Sequence, residues 1–194
     1  LVYYTDTSAK VTKLSAITFG TNGGTLVTTG EGAQVGAVGT AAKKNGELYV
    51  KSGDLTANGD VNVKDLDVET GAKLSLAKND AGTGYALTTG TNAAVISGEL
   101  AAADSAVTFG STATATYADG AYSFKNVNQV TGKLAAKSLT LSGDMAVANG
   151  GVVVADTISA QDAKKTATTI FVGDSVSAGS LSVGELTAGS IYAD

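Results

Sequence analysis

The 194-residue chain contains no Cys, His, Trp, Pro or Arg. Each absence removes a class of chemistry. Without Cys there is no disulfide and no thiolate metal ligand. Without His, the commonest general base near neutral pH and the commonest metal ligand are both missing. Catalysis would fall to carboxylate pairs, Lys, Tyr or hydroxyls. Thirteen Lys stand against 18 Asp plus Glu, a net charge of −5 with a pI near 4.6. That balance opposes attraction to nucleic acid or to anionic lipid. The apolar runs are far shorter than the roughly 20 residues a membrane helix needs. The chain opens at Leu1-Val2-Tyr3-Tyr4-Thr5 with neither Met nor a basic stretch, as expected of a mature protein or a fragment.

What is abundant is Thr, Ser, Gly, Ala and Val, while long helix-favouring residues are scarce, and this mixture predicts β-structure. The clearest pattern runs from Gly132 to Ala160. Its apolar residues come in alternating pairs, Leu139/Leu141, Met145/Val147 and Val152/Val154, separated by Gly, Asp or Asn clusters. Period-2 alternation places both members of a pair on one strand face, and turns every six or seven residues leave no room for a helix. From Glu47 the same rhythm gives Leu48/Val50, Leu55, Val61/Val63, Leu66/Val68 and Leu74/Leu76. Leu48 to Leu66 and Val50 to Val68 are each 18 residues, and Leu139 to Ile158 is 19. Such a recurrence predicts coils of a β-solenoid with Leu139 stacked on Ile158.

The length suits one β-rich domain over residues 1–194, least regular at 20–46 and 77–132. Within the second irregular stretch, Ala101–Ser105 reads as a short helical turn or a loop. Thr168–Val172 reads as a strand. The chain ends on a five-residue beat of Val176, Leu181, Leu186 and Ile191, in which Gly stands two positions before each of the last three. The favoured fold is therefore all-β, a parallel β-helix. The alternative is an antiparallel β-sandwich or jelly roll, since hairpins also turn at such intervals.

The run Gly-Lys-Leu-Ala-Ala-Lys-Ser-Leu-Thr-Leu-Ser-Gly-Asp-Met-Ala-Val-Ala-Asn-Gly-Gly, from Gly132, resembles the degenerate rungs of bacterial autotransporter passengers and filamentous-haemagglutinin-type exoproteins. Gly-Asp-Leu-Thr-Ala-Asn-Gly-Asp-Val-Asn-Val from Gly53 and Ala-Gly-Ser-Leu-Ser-Val-Gly-Glu-Leu-Thr-Ala from Ala178 share the style. The resemblance covers about half the chain, 46–76 and 130–194. It implies a right-handed parallel β-helix exported to the cell surface, with roles in adhesion or aggregation.

Few residues carry chemistry. Thr56–Asp67 is similar in spacing to a calcium loop, with Asp60, Asp65 and Asp67 as candidate ligands. Thr56 stands where the first Asp belongs, however, and Val61/Val63/Leu66/Val68 alternates as strand, so a turn at Asn58-Gly59 is the better reading. Asp65, Asp67 and Glu69 crowd three carboxylates on one strand face, a solvated face before it is a catalytic pair. Thr112/Thr114/Thr116 form a row of hydroxyls, an ordinary exposed strand face before a surface for ice or glycan. Tyr117, Tyr122 and Phe124 form a core or inter-subunit cluster in preference to a sugar platform. The Gly-rich stretches lack the Lys-Ser/Thr ending of a phosphate loop.

The expected function is an extracellular, non-enzymatic structural or adhesive role, without cofactor. Partners would be further copies of the chain, or glycans or proteins of a host or neighbouring cell surface. The alternative is a subunit of a self-assembling filament or surface layer, polymerising by donation of residues 1–8. Its assembly residues would be Leu1, Val2, Tyr3 and Tyr4.

Overall fold

In the computed structural model, which describes residues 2–4, 13–119, 121–148, 150–160, 168–172, 180–187 and 189–193, the chain winds as a parallel β-solenoid of about seven turns. Strands are numbered along the chain. The first wall is a nine-stranded sheet. In spatial order it holds β1 (Val2–Tyr4), β3 (Gly24–Thr28), β6 (Gly46–Val50), β9 (Asp65–Val68), β12 (Val95–Ile96), β16 (Asn128–Val130), β18 (Met145–Val147), β20 (Thr168–Val172) and β22 (Gly189–Ala193). The second wall stacks β2 (Lys13–Leu14), β4 (Ala33–Val35), β7 (Asp54–Ala57) and β10 (Lys73–Leu76). It continues in the first halves of β13 (Glu99–Phe109), β17 (Lys133–Leu141), β19 (Val152–Ala160) and β21 (Ser180–Thr187). The third wall stacks β5 (Val38–Gly39), β8 (Val61–Val63) and β11 (Leu87–Thr89) on the second halves of β13, β17, β19 and β21. In the early coils these two walls are separate strands. From β13 onward one bent strand serves both, with a register irregularity between Ala102 and Ala106.

Each wall sends one unbroken column of apolar side chains inward. Val50, Val68, Ile96, Val130 and Val147 stack in the first. Leu55, Leu74, Leu100, Leu134 and Val153 stack in the second. Val38, Val61, Leu87, Val107, Leu139 and Ile158 stack in the third. All are buried, and each stabilises the fold by about 1.5–3 kcal/mol relative to exposure. Parallel strands buried on the inner face and solvated on the outer one account for the alternation read from the sequence.

The expected stacking of Leu48 on Leu66, Val50 on Val68 and Leu139 on Ile158 is observed. Four readings change. Ala101–Ser105 is neither helix nor loop but the middle of β13, because Leu100 and Ala101 are held in register between β10 and β17, which override alanine's helix preference. Val152 and Val154 do share a face, but it is the outer one; Val153 and Ala155 point inward. Residues 20–46, unpatterned in sequence, form a complete coil of β3, β4 and β5. The antiparallel alternative survives only locally: among the described strands the single antiparallel pair is a hairpin of β14 (Thr116–Ala118) and β15 (Ala121–Ser123). Leu1 lies outside the described residues, while Val2, Tyr3 and Tyr4 pair in parallel with Leu26, Val27 and Thr28 of the same chain.

The corner between the first and second walls is one of the tightest places in the coil. A Cβ at Gly132 would overlap the Gly98 carbonyl oxygen of the coil beneath, and one at Gly98 would overlap the carbonyls of Glu69 and Ala72. Neither glycine is needed for its backbone angles; both are needed because the next backbone passes where a side chain would be. Gly132→Ala is expected to destabilise by about 1–3 kcal/mol, the usual cost of overpacking. Gly20→Ala, with open space around the added methyl, should be nearly neutral. Urea midpoints measure both, and equal shifts in the two variants would refute the corner argument.

Candidate groove on the first wall

The outer face of the first wall carries a groove of about 750 Å³. Its floor is a patch of consecutive rungs: Thr25 on β3, Glu47 and Tyr49 on β6, Asp65 and Asp67 on β9, Val95 on β12 and Gln129 on β16. Register builds it, since Thr25 stands over Glu47, Glu47 over Asp65, Tyr49 over Asp67, Asp67 over Val95 and Val95 over Gln129. With strands about 4.8 Å apart, these five rungs span roughly 20 Å. The rims come from residues the coils do not share: Thr91–Ala93 before β12, and Ser111, Ala113, Asn126 and Val127 at the base of the hairpin.

The polar side chains are already oriented. Thr25 Oγ1 donates to Glu47 Oε2 at 2.6 Å, Tyr49 OH to Glu69 Oε1 at 2.8 Å and Asn92 Nδ2 to Asp65 Oδ2 at 3.1 Å. Gln129 Nε2 donates to the Phe124 carbonyl at 3.4 Å. The bond to Glu69 holds the Tyr49 hydroxyl above its ordinary pKa. Partial burial, then the charges of Glu69 and Asp65, raise the Asp67 carboxyl above its usual value.

The hairpin that forms one rim is fastened to the solenoid at two places. The buried Asp144 carboxylate accepts from the Ala115 amide (2.8 Å) and the Thr169 amide (2.8 Å), while its own amide donates to Ala113 O. Above it, Tyr122 and Phe124 pack on Phe171 with ring centroids 4.8 and 5.2 Å apart. Phe171 occupies an outward position of the first wall yet is 4% exposed. Tyr117, 65% exposed, packs against Tyr122 with ring centroids 4.9 Å apart and the planes inclined at 58°. Among the described residues, the two non-glycine residues with positive φ, Asp119 at the tip and Asn126 at the base, both belong to this insertion.

No protein-family model, curated protein or solved structure matches this chain. The groove must therefore be read from its own residues. Of the sequence candidates, Asp65 and Asp67 lie side by side in the groove, with Glu69 beyond them. Asp60 sits before β8 in the third wall, where its Oδ1 accepts from the Ala86 amide at 2.9 Å. Among the described residues, no group of three or more Asp or Glu side chains is placed to hold a metal ion. Thr112, Thr114 and Thr116 alternate outward as expected, but only Thr116 belongs to a strand. Tyr117, Tyr122 and Phe124 do cluster, around Phe171. Among the described residues no helix is long and apolar enough to cross a membrane. Sequence reasoning missed Glu47, Tyr49, Asn92, Asn126 and Gln129; Glu47, Tyr49 and Gln129 are polar residues at outward positions of first-wall strands, whereas Asn92 and Asn126 lie in the rims and share no signal with them.

The folded protein holds the Asp67 proton more tightly than the unfolded chain. Asp67 thus favours folding in acid, below the ordinary carboxylate value of about 4, and loses that contribution as pH rises through its raised value. Asp67→Asn should raise the urea midpoint at pH 7 and leave it level with the native chain near pH 3. An equal shift at both pH values would rule out ionisation as the cause. Asp144→Ala removes two charge-assisted bonds to backbone amides, each worth about 1–3 kcal/mol. It should speed amide exchange across residues 113–124 while sparing β6–β10.

Proposed function

We propose that this chain is a non-enzymatic structural and adhesive module of an extracellular or cell-surface protein: a rigid solenoid that presents ligand-contacting surface on its outer walls. The observation carrying this reading is the groove on the first wall. It is a concave surface of mixed polar and apolar lining, assembled from five consecutive coils and standing on a continuously stacked core. A scaffold of this kind fixes outward side chains at about 4.8 Å intervals, so it positions a contact surface without any moving part. The likeness of its rungs to autotransporter and filamentous-haemagglutinin-type passengers supports the same placement at a bacterial cell surface. Strand donation by residues 1–8 is the weaker alternative, because β1 already pairs with β3 in the same chain and would have to be withdrawn first.

Beads coated with the purified chain test the proposal. They should adhere to bacterial or host-type cells above uncoated beads, and the soluble chain should compete. Absence of adherence on every cell type tried, with the chain shown folded by circular dichroism, would count against an adhesive role. Deleting residues 1–8 should leave size-exclusion behaviour unchanged; loss of assembly on that deletion would favour strand donation.

A further inference from the structure

We propose that the first-wall groove is a binding site for an uncharged oligosaccharide; this rests on the adhesive reading and names its ligand class. Three features of the lining point to that chemistry. The first is hydrogen-bonding balance. The donors of Thr25, Tyr49, Asn92 and Gln129 are partly committed to Glu47, Glu69, Asp65 and the Phe124 carbonyl. Much of what is left facing the groove accepts: the second oxygens of Glu47 and Asp65, the amide oxygens of Asn92 and Gln129, and Asp67, which accepts no hydrogen bond from any described residue. A ligand rich in hydroxyl donors matches that surplus.

The second is charge. Among the described residues, Glu47, Asp65 and Asp67 line the groove and no Lys does, so anionic saccharides are repelled. The carboxylates nevertheless do not mark a cation site, since Glu47 and Asp65 already accept from a hydroxyl and an amide, and among the described residues no three carboxylates are placed to share a metal ion. The third is the alternation of polar groups with the partly exposed Ala93, Val95 and Ala113 along the lining. A bare ammonium gains nothing from that apolar surface, whereas a sugar ring presents C–H faces as well as hydroxyls. Planar amides at Asn92, Asn126 and Gln129 can each bond two adjacent hydroxyls, offering a donor and an acceptor side by side.

The test is calorimetric titration of the folded chain with the hexamers of maltose, cellobiose and laminaribiose series, beside glucosamine hexamer, spermidine and oligogalacturonate. At least one neutral hexamer should bind. Asn92→Ala and Gln129→Ala should each weaken that binding at least tenfold with an unchanged melting temperature, while Thr140→Ala on the third wall should leave it unaltered. Binding confined to glucosamine hexamer and spermidine, and abolished by salt, would overturn the proposal in favour of a cation site. Failure of every neutral hexamer, or binding indifferent to Asn92→Ala and Gln129→Ala, would overturn it as well. If coated beads adhere to cells but no neutral hexamer binds, the ligand assignment fails alone; if neither occurs, the adhesive reading fails with it.

Discussion

Everything in this molecule depends on parallel backbone ladders that must stay in register on three walls at once. Each coil satisfies its peptide groups on the coils above and below it, so a coil that rises or slips at one corner strands donors and acceptors along a whole edge. The requirement explains why the corners are more demanding than the walls. On a wall, any β-favouring residue of the right polarity fits. At the corner marked by Gly98 and Gly132, the backbone of one coil lies where the next would place a Cβ. The inward columns tolerate Val, Leu or Ile because they need only volume; the corner takes only the smallest residues, Ala72 in one coil and Gly98 and Gly132 in the next two.

A second consequence is a charge ladder along the start of the second wall. Asp54, Lys73, Glu99 and Lys133 stand directly over one another, alternating in sign. Lys73 and Glu99 are joined at 2.9 Å, a contact that raises the Lys73 pKa. Both side chains are about two-fifths exposed, so the bond adds little stability. Its value is positional. Displacing one coil by a residue along the strand would face each charge with a leucine or with the small residue of the triplet. The ladder rests on a recurring triplet, a small residue, a charged one and Leu, at Gly53-Asp54-Leu55, Ala72-Lys73-Leu74, Gly98-Glu99-Leu100 and Gly132-Lys133-Leu134.

That triplet shows what the sequence discloses and what it hides. Leu48 over Leu66 and Leu139 over Ile158 were legible because those coils are short and nearly equal, 18 and 19 residues. The triplets recur 19, 26 and 34 residues apart, so no fixed period finds them. The unequal spacing comes from loops such as Asn79–Thr83 and from the β14–β15 hairpin, which leave the coil and return to the same height. Periodicity measures contour length, whereas stacking depends only on where each excursion ends. The Ala-rich middle of β13 misled for a related reason: local propensity favours helix, but two flanking strands already dictate the backbone.

The groove was less legible than the fold because its residues obey no shared pattern. Asp65 and Asp67 were visible as crowded carboxylates, yet their neighbours Glu47 and Tyr49 lie a coil earlier, and Asn92 and Gln129 one and two coils later. Only a known register brings them together. The same excursions that spoil the period supply the rims, since Thr91–Ala93 and the hairpin base lie outside the ladders and are free of their constraint. The insertion also carries Asp119 and Asn126 with positive φ, a backbone cost of roughly 1–3 kcal/mol each. Asp144 and Phe171 offset that cost by anchoring it. In this architecture the stacked coils supply rigidity and spacing, and the departures from them supply shape, so a binding surface arises where regular rungs meet an irregular insertion.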